Sequence, residues 1–388
     1  IIENKPSEKN LPFLECVMNF IRYLIDLEGK KSTNLYEIYT RDEHKLLEET
    51  NKNTRINIPS DTIEKLIKND KFEWNEFKNQ INQFAKIMIT IKYQSEAFDN
   101  AYEDLIEMAS TKICRLEVFI TNVTKTDDKF KNNPNIYSIK IDSSVTEIIE
   151  SSFEKCSLLT RVSIPTSVTL IEKNAFSHCK SLEHIIIPKS VTLIDESCFN
   201  GCKKLTQVTI PSSIGLIGYN FFNGCKSLEH ITIPSSVTLI GQQAFYECSS
   251  LKEMKIPSSV TQIGSKAFCK CVNLQKIKIP SSVTGIGEYC FEDCTALEEI
   301  TLDPYLTKIR NNSFDNCPSL THLIIETPNK QTNQIKSEIM EICTKITINS
   351  EVTSIEANSF RCLPNLTELK VPSSVTTLGV SCFSECPS

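Results

Sequence analysis

Seventeen cysteines in a chain of 388 residues raise two chemistries, disulfide closure and metal ligation, and their spacing argues against both. Cys156, Cys179, Cys202, Cys225, Cys248, Cys271, Cys294 and Cys317 recur every 23 residues. Cys198, Cys290 and Cys382 each stand four residues before a member of that column or its continuation Cys386. These C-x-x-x-C pairs lie four repeats apart, about 19 Å at a rise of ~4.8 Å per stacked strand, whereas zinc needs four convergent ligands. Cys198, Cys290 and Cys382 also share their offset with Ala175, Ala244 and Ala267, which marks an inward slot for a small apolar side chain, a role a thiol fills. Cysteines in adjacent coils lie within bridging range. An odd total nevertheless cannot pair completely, and a ladder of equal neighbours favours packed, reduced thiols.

The histidines follow the same logic. His184, His230 and His322 share one offset. The nearest two, His184 and His230, are two coils or about 10 Å apart, too far to hold one metal ion directly. They read as exposed surface open to contact. No Ser-His-acid set can be assembled, because the serines belong to a recurring Pro-Ser-Ser turn, and Gly218, Gly241, Gly264 and Gly287 follow an Ile rather than forming a phosphate loop. The sequence therefore calls for no catalytic, cofactor-binding or metal-binding residues, and an enzyme is not expected.

What positions these residues is a repeat. A phenylalanine stands three residues before each cysteine of the column, from Phe153 and Phe176 to Phe291 and Phe314, and Pro165, Pro188, Pro211, Pro234, Pro257 and Pro280 share the period. One unit, from Ile233 to Lys255, reads IPSSVTLIGQQAFYECSSLKEMK. Alternation in L-x-x-I-x-I predicts a short strand with one face inward. Pro-Ser-Ser predicts a turn, V-T-x-I-G a second short strand, and x-x-A-F-x-x-C a tight helical or 3-10 turn. One coil cannot bury its own apolar side, so coils must stack into a solenoid. Unit starts run in register from Ile141 to Val371. The unit at Ile325 is degenerate over 325–347, the last is incomplete, and Phe130, Ile136 and Ile139 mark a worn unit near Val118. About twelve coils over 118–388 are expected, with the worn unit closing the amino end.

The pattern L-x-x-I-x-I-P-x-x-V-x-x-I-G-x-x-A-F-x-x-C, carried by Leu251, Met254, Ile256, Pro257, Val260, Ile263, Gly264, Ala267, Phe268 and Cys271, resembles the BspA-like, or treponemal-type, leucine-rich repeats. The resemblance implies a right-handed leucine-rich-repeat array with a parallel β-sheet on one face and short strands or 3-10 turns on the other. It also implies a binding role of the kind found in surface adhesins, and it brings no catalytic residues with it.

Residues 1–117 lack the 23-residue period. Phe77, Ile81, Phe84, Met88 and Ile91 step by three or four as in an amphipathic helix. Phe13, Val17, Phe20, Leu24 and Leu27 form another such run, Thr40 with Glu43 fits a capping box, and Ser95 is placed to cap a helix through Met108. A small all-α module is expected, either folding alone or capping the array. Leu11, Pro12, Phe20 and Ile21 resemble the start of an F-box, but the spacing is one residue off and the later positions do not align.

The net charge of −6 gives no reason to expect a nucleic-acid partner. The longest apolar stretch, Leu11 to Leu27, contains Glu15, Arg22 and Asp26, so no direct membrane insertion is expected. What remains is the outward face of the main strand. Its candidate binding residues are Arg161, His184, Ile186, His230, Lys252, Glu253, Lys255, Lys276, Lys278, Glu299, His322, Ile324 and Lys345, among which Lys252, Lys255, Lys276 and Lys278 form a basic patch. The expected function is non-enzymatic protein–protein interaction, adhesin-like, through this face. The alternative is an intracellular adaptor or scaffold in which residues 1–117 recruit a complex and the repeats select a client. Location stays open: reduced thiols fit the cytoplasm, and the family resemblance fits a cell surface.

Overall fold

A computed structural model describes residues 54–58, 87–93, 114–121, 123–302, 308–309, 312–326, 331–332, 342–361 and 363–386. Each regular 23-residue coil contributes one strand to a main parallel sheet, one two-residue strand to a second parallel sheet, and a corner of consecutive turns between them. In the coil that starts at Ile256 these are Lys276–Lys278, Gln262–Ile263 and the turn around Phe268. Pairing is in register between neighbouring coils: Lys276 faces Glu299 in the main sheet and Ile263 faces Ile286 in the second. Alternation along each strand sends Ile277 inward and leaves Lys276 and Lys278 exposed.

The core is a set of stacked columns. Phenylalanine rings from Phe130 to Phe314 are fully or almost fully buried, with centroids of successive rings 5.3–5.9 Å apart. The cysteine column does more than fill space. Each thiol donates to the phenylalanine carbonyl of the preceding coil: Cys179 Sγ to Phe153 O at 3.1 Å, Cys271 Sγ to Phe245 O at 3.2 Å, Cys386 Sγ to Phe360 O at 3.0 Å. The same carbonyl already accepts the amide three residues on, as Phe153 O does from Cys156 N. A buried carbonyl thus uses both lone pairs. The fourteen cysteines from Cys156 to Cys386, Cys362 aside, are free. The second serine of the Pro-Ser-Ser turn closes another ladder, Ser236 Oγ donating to Ile214 O and Ser259 Oγ to Val237 O, each at 2.6 Å.

The corner departs from the expected helical or 3-10 turn. It is a run of turns in which two residues four apart take left-handed backbone, such as Asn174 and His178, Gln243 and Glu247, or Lys266 and Lys270, with φ between 56° and 63°. This conformation is costly for residues with a Cβ. The alternation lets every second amide point to the next coil: Ser151 N donates to Lys173 O at 2.9 Å, Phe153 N to Ala175 O at 2.9 Å, and Lys155 N to Ser177 O at 2.7 Å. Among the described residues, the 3-10 turn Asp128–Phe130 belongs to the worn first unit.

The amino-terminal expectation needs correction. Thr54–Ile58, Ile87–Tyr93 and Cys114–Ile120 are strands, paired in parallel with one another and then with Ile136–Ile141, so the main sheet continues upstream of the worn unit instead of ending there. Met88 and Ile91, expected on a helix face, lie in a strand. Its alternating Ile87, Ile89 and Ile91 fit a pleat equally well. Aligned residues are 33 apart from Thr54 to Ile87 and 27 apart from Ile87 to Cys114, which hides these strands from a search at 23. An all-α module is therefore not supported. The expected helices around 10–29 and 95–108 and the capping box at Thr40 lie outside the described residues.

Among the described residues the second sheet is interrupted between Lys308–Ile309 and Gln331–Thr332, and both sheets are interrupted at the coil 210–232. The main sheet runs to Gln207–Thr209 and resumes at Glu253–Lys255, with His230–Thr232 in neither sheet. The second sheet breaks between Leu193–Ile194 and Leu216–Ile217. Both breaks flank the coil 210–232, and that coil alone among the fully described ones places a phenylalanine, Phe221, in the column that holds Ala175, Cys198, Ala244, Ala267 and Cys290 elsewhere. Phe221 is fully buried, 4.8 Å from the Phe222 ring and 5.8 Å from Phe199. A ring in a slot sized for a methyl group overfills the interior, and we attribute the displaced main strand to it.

Candidate interaction face

On every coil the main strand places an inward residue between two outward ones, so the outward residues form two rows up the sheet. Of the thirteen candidates, Arg161, His184, Ile186, His230, Lys252, Glu253, Lys255, Lys276, Lys278 and Lys345 are exposed, and Glu299, His322 and Ile324 are half-buried. Ile186 is the most prominent apolar side chain on the face, 75% exposed.

A cleft of about 850 Å³ lies on this face over the interrupted coil. It brings together His230, Glu253, Lys255, Lys276, Lys278 and Glu299 from the candidates, and adds Gln207, Thr209, Thr232 and Thr301. These four are legible from sequence as members of the same two outward rows, although they are not among the thirteen candidates. Arg161, His184, Ile186, Lys252, His322, Ile324 and Lys345 lie outside the cleft.

Electrostatically the face is more balanced than its lysine row suggests. Lys252 Nζ lies 2.9 Å from Glu229 Oε2, Lys276 Nζ 3.6 Å from Glu299 Oε2, and Lys278 pairs with Glu326. The Lys252 hydrogen bond holds the Glu229 carboxyl below its usual range, and Lys370, then Lys345, do the same for Glu368. Three lysines of the patch are thus matched by carboxylates, and Lys255 is the member with no ion pair among the described residues. His322 bridges Glu299, with Nδ1 3.2 Å from Oε2, and Thr347, with Nε2 2.8 Å from Oγ1. His184 Nδ1 lies 3.2 Å from Thr206 Oγ1. Pairs this exposed contribute little to stability, so these residues are free to serve contact rather than folding.

Among the described residues, no group of three His, Cys, Asp or Glu side chains is arranged to hold a metal ion, and no helix is long and apolar enough to cross a membrane. The cysteine column is unsuited to ligation or nucleophilic attack because burial raises the thiols of Cys179, Cys225 and Cys271 well above their ordinary pKa.

The repeat pattern matches the family described as BspA type leucine rich repeat region, in six copies over residues 124–240, 215–344 and 325–388. Among curated proteins, none matches the chain. Similar solved structures include a leucine-rich repeat protein from Bacteroides ovatus, 27% identical, covering 70% of this chain and 84% of that one with a TM-score of 0.48. Another is a leucine rich cell surface protein from Faecalibacterium prausnitzii, 26% identical, covering 74% of this chain and 88% of that one with a TM-score of 0.43. Since the matched stretches run unbroken from 124 to 388, more than half its length, the chain belongs to the BspA-type leucine-rich repeat family.

Proposed function

We propose that this protein is a non-enzymatic interaction protein that holds a protein or cell-surface partner against the outward face of its main sheet, in the manner of an adhesin. Proteins of leucine-rich repeat type generally act through protein contact, which supports the class. The observation that carries the choice of face is the contrast between the two sides of the same strands. Inward positions repeat one apolar pattern, whereas the outward row reads Gln207, His230, Glu253, Lys276 and Glu299 across the cleft. A fold requirement would repeat at this spacing, so variation there leaves the outward row free of the fold and available for contact. Anchors such as Trp and Tyr, common among hot spots, are missing from the cleft lining. The contact is accordingly polar, hydrated and built from many weak interactions.

The test uses fluorescently labelled full-length protein titrated onto cultured mucosal epithelial cells. Saturable binding is expected, at least tenfold weaker for Lys255→Glu combined with Lys276→Glu. Unchanged affinity in that variant would remove this face from the function. No binding to intact cells, with the chain recovered in a defined cytosolic complex, would instead favour the adaptor alternative.

A further inference from the structure

A second surface lies on the other sheet. Leu170, Leu193, Leu216 and Leu239 occupy the outward position of four successive two-residue strands, each beside a buried Ile. Leu193 is 47% exposed and Leu216 39%, and their two neighbours are half-buried. Folding does not require leucine here. The same offset holds Gln262, Gly285, Ser354 and Thr377 in later coils, whose inward Ile263, Ile286 and Ile355 are just as buried. An aliphatic ridge confined to four coils and dispensable in the others marks a contact surface.

The next outward row fixes what kind of contact. Beside the first two leucines it holds Glu172 and Asp195, with Glu196 adjoining. Lys173, 3.5 Å from Glu196, is a lysine that offsets this charge only in part. Beside Leu216 and Leu239 the row holds Gly218 and Gly241, with Tyr219, 40% exposed, next to Gly218. The ridge is thus acidic at one end and uncharged at the other. Its three coil steps span about 14 Å at ~4.8 Å each, and a helix laid along the ridge, with a 5.4 Å pitch, would set roughly one side chain per turn against each coil over about ten residues. The second sheet has two free edges within the ridge, at Leu193–Ile194 and Leu216–Ile217, but each is two residues long, too short to hold a partner strand.

We propose that this ridge docks a basic amphipathic α-helix of a protein partner, its aliphatic stripe on Leu193 and Leu216 and its Lys or Arg side chains toward Glu172 and Asp195. This surface is separate from the main-sheet cleft and does not depend on the function assigned to that cleft.

The probe is a fluorescein-labelled eleven-residue Leu/Lys amphipathic peptide titrated by anisotropy against the full chain. Saturable binding is expected that weakens with salt and falls at least tenfold in Leu193→Gln combined with Leu216→Gln, a pair whose folding is safeguarded by Gln262 at the same offset. Glu172→Gln with Asp195→Asn should weaken it several-fold, and Lys255→Glu should leave it unchanged. Equal binding by the double leucine variant, or equal binding of the peptide with Glu in place of Lys, would overturn the assignment. So would concentration-dependent self-association abolished by the leucine substitutions, which would give the ridge to a second copy of this chain.

Discussion

Two coils of identical length show what governs this array. The coil 256–278 places Ala267 inward before its phenylalanine, and its main strand Lys276–Lys278 pairs on both sides. The coil 210–232 places Phe221 at that position, and its corresponding residues His230–Thr232 join no sheet. Other inward features match: Phe222 and Phe268 stack in the same column, and the Cys225 and Cys271 thiols each donate at 3.2 Å. The bulk of Phe221 is the inward difference between the two coils, and on the outward side Gly215 stands where Thr261 donates to Thr238 O. The cleft that draws together Lys255, Lys276 and Lys278 sits over the open coil.

The largest effect should come from the part both coils share. Burial pushes Cys202, Cys317 and Cys343 up to about 12 from an ordinary thiol value of 9.0 and raises Cys225 and Cys271 well above that value. An unfolded chain would release these protons near pH 9 while the folded one keeps them. Their contribution to stability is therefore complete below pH 9 and is lost as pH climbs toward 12, by up to roughly 1.4 kcal/mol per thiol per pH unit. Urea midpoints should fall steeply from pH 9 to 11; a flat profile would mean that the column is accessible to water.

The next effect probes the difference itself. Ala267→Phe should cost about 1–3 kcal/mol through overfilling and speed amide exchange at Lys276–Lys278, converting a closed coil into an open one. Phe221→Ala should slow exchange at His230–Thr232. If both substitutions leave exchange unchanged, Phe221 is not the cause of the break.

A smaller effect separates the glycines of the two halves. A Cβ on Gly264 would lie 2.5 Å from Gln242 N and 2.6 Å from Gly241 C, whereas on Gly218 its nearest contact is Leu216 Cδ1 at 3.5 Å. Gly264→Ala is expected to cost about 1–3 kcal/mol by overpacking, and Gly218→Ala within about 0.5 kcal/mol of nothing, because its methyl group would meet only ordinary van der Waals contacts. Equal losses in thermal melts would show that coils approach one another equally closely across the break.

The period, the inward columns and both parallel strands of the regular coil were legible because burial imposes the same residue at every turn. The thiol hydrogen bond was not, since a cysteine that only fills space looks identical in sequence. Nor were the left-handed positions, because Asn174, Gln243, Lys266 and Tyr289 share no residue type that announces a positive φ. The strand Ile87–Tyr93 was misread because Phe77, Ile81, Phe84, Met88 and Ile91 satisfy a helical period across it. On the interaction face, outward direction was readable from alternation, but charge balance was not. Lys278 meets Glu326 two coils away, a pairing that follows from the reach of the side chains and not from register.

The corner ladder gives the interrupted coil a mechanical meaning. Between the coils that start at Ile187 and Ile210 neither sheet is paired, yet the corner bonds persist, with Ser197 N on Tyr219 O at 2.9 Å, Phe199 N on Phe221 O at 3.1 Å, and Cys225 Sγ on Phe199 O at 3.2 Å. Away from that corner, Ser213 Oγ donates to Val191 O and Ser227 N to Lys203 O across the same junction. Two stacks of coils are thus joined along several lines while both sheets open between them, so the junction gives up strand pairing without losing its hold on either neighbour.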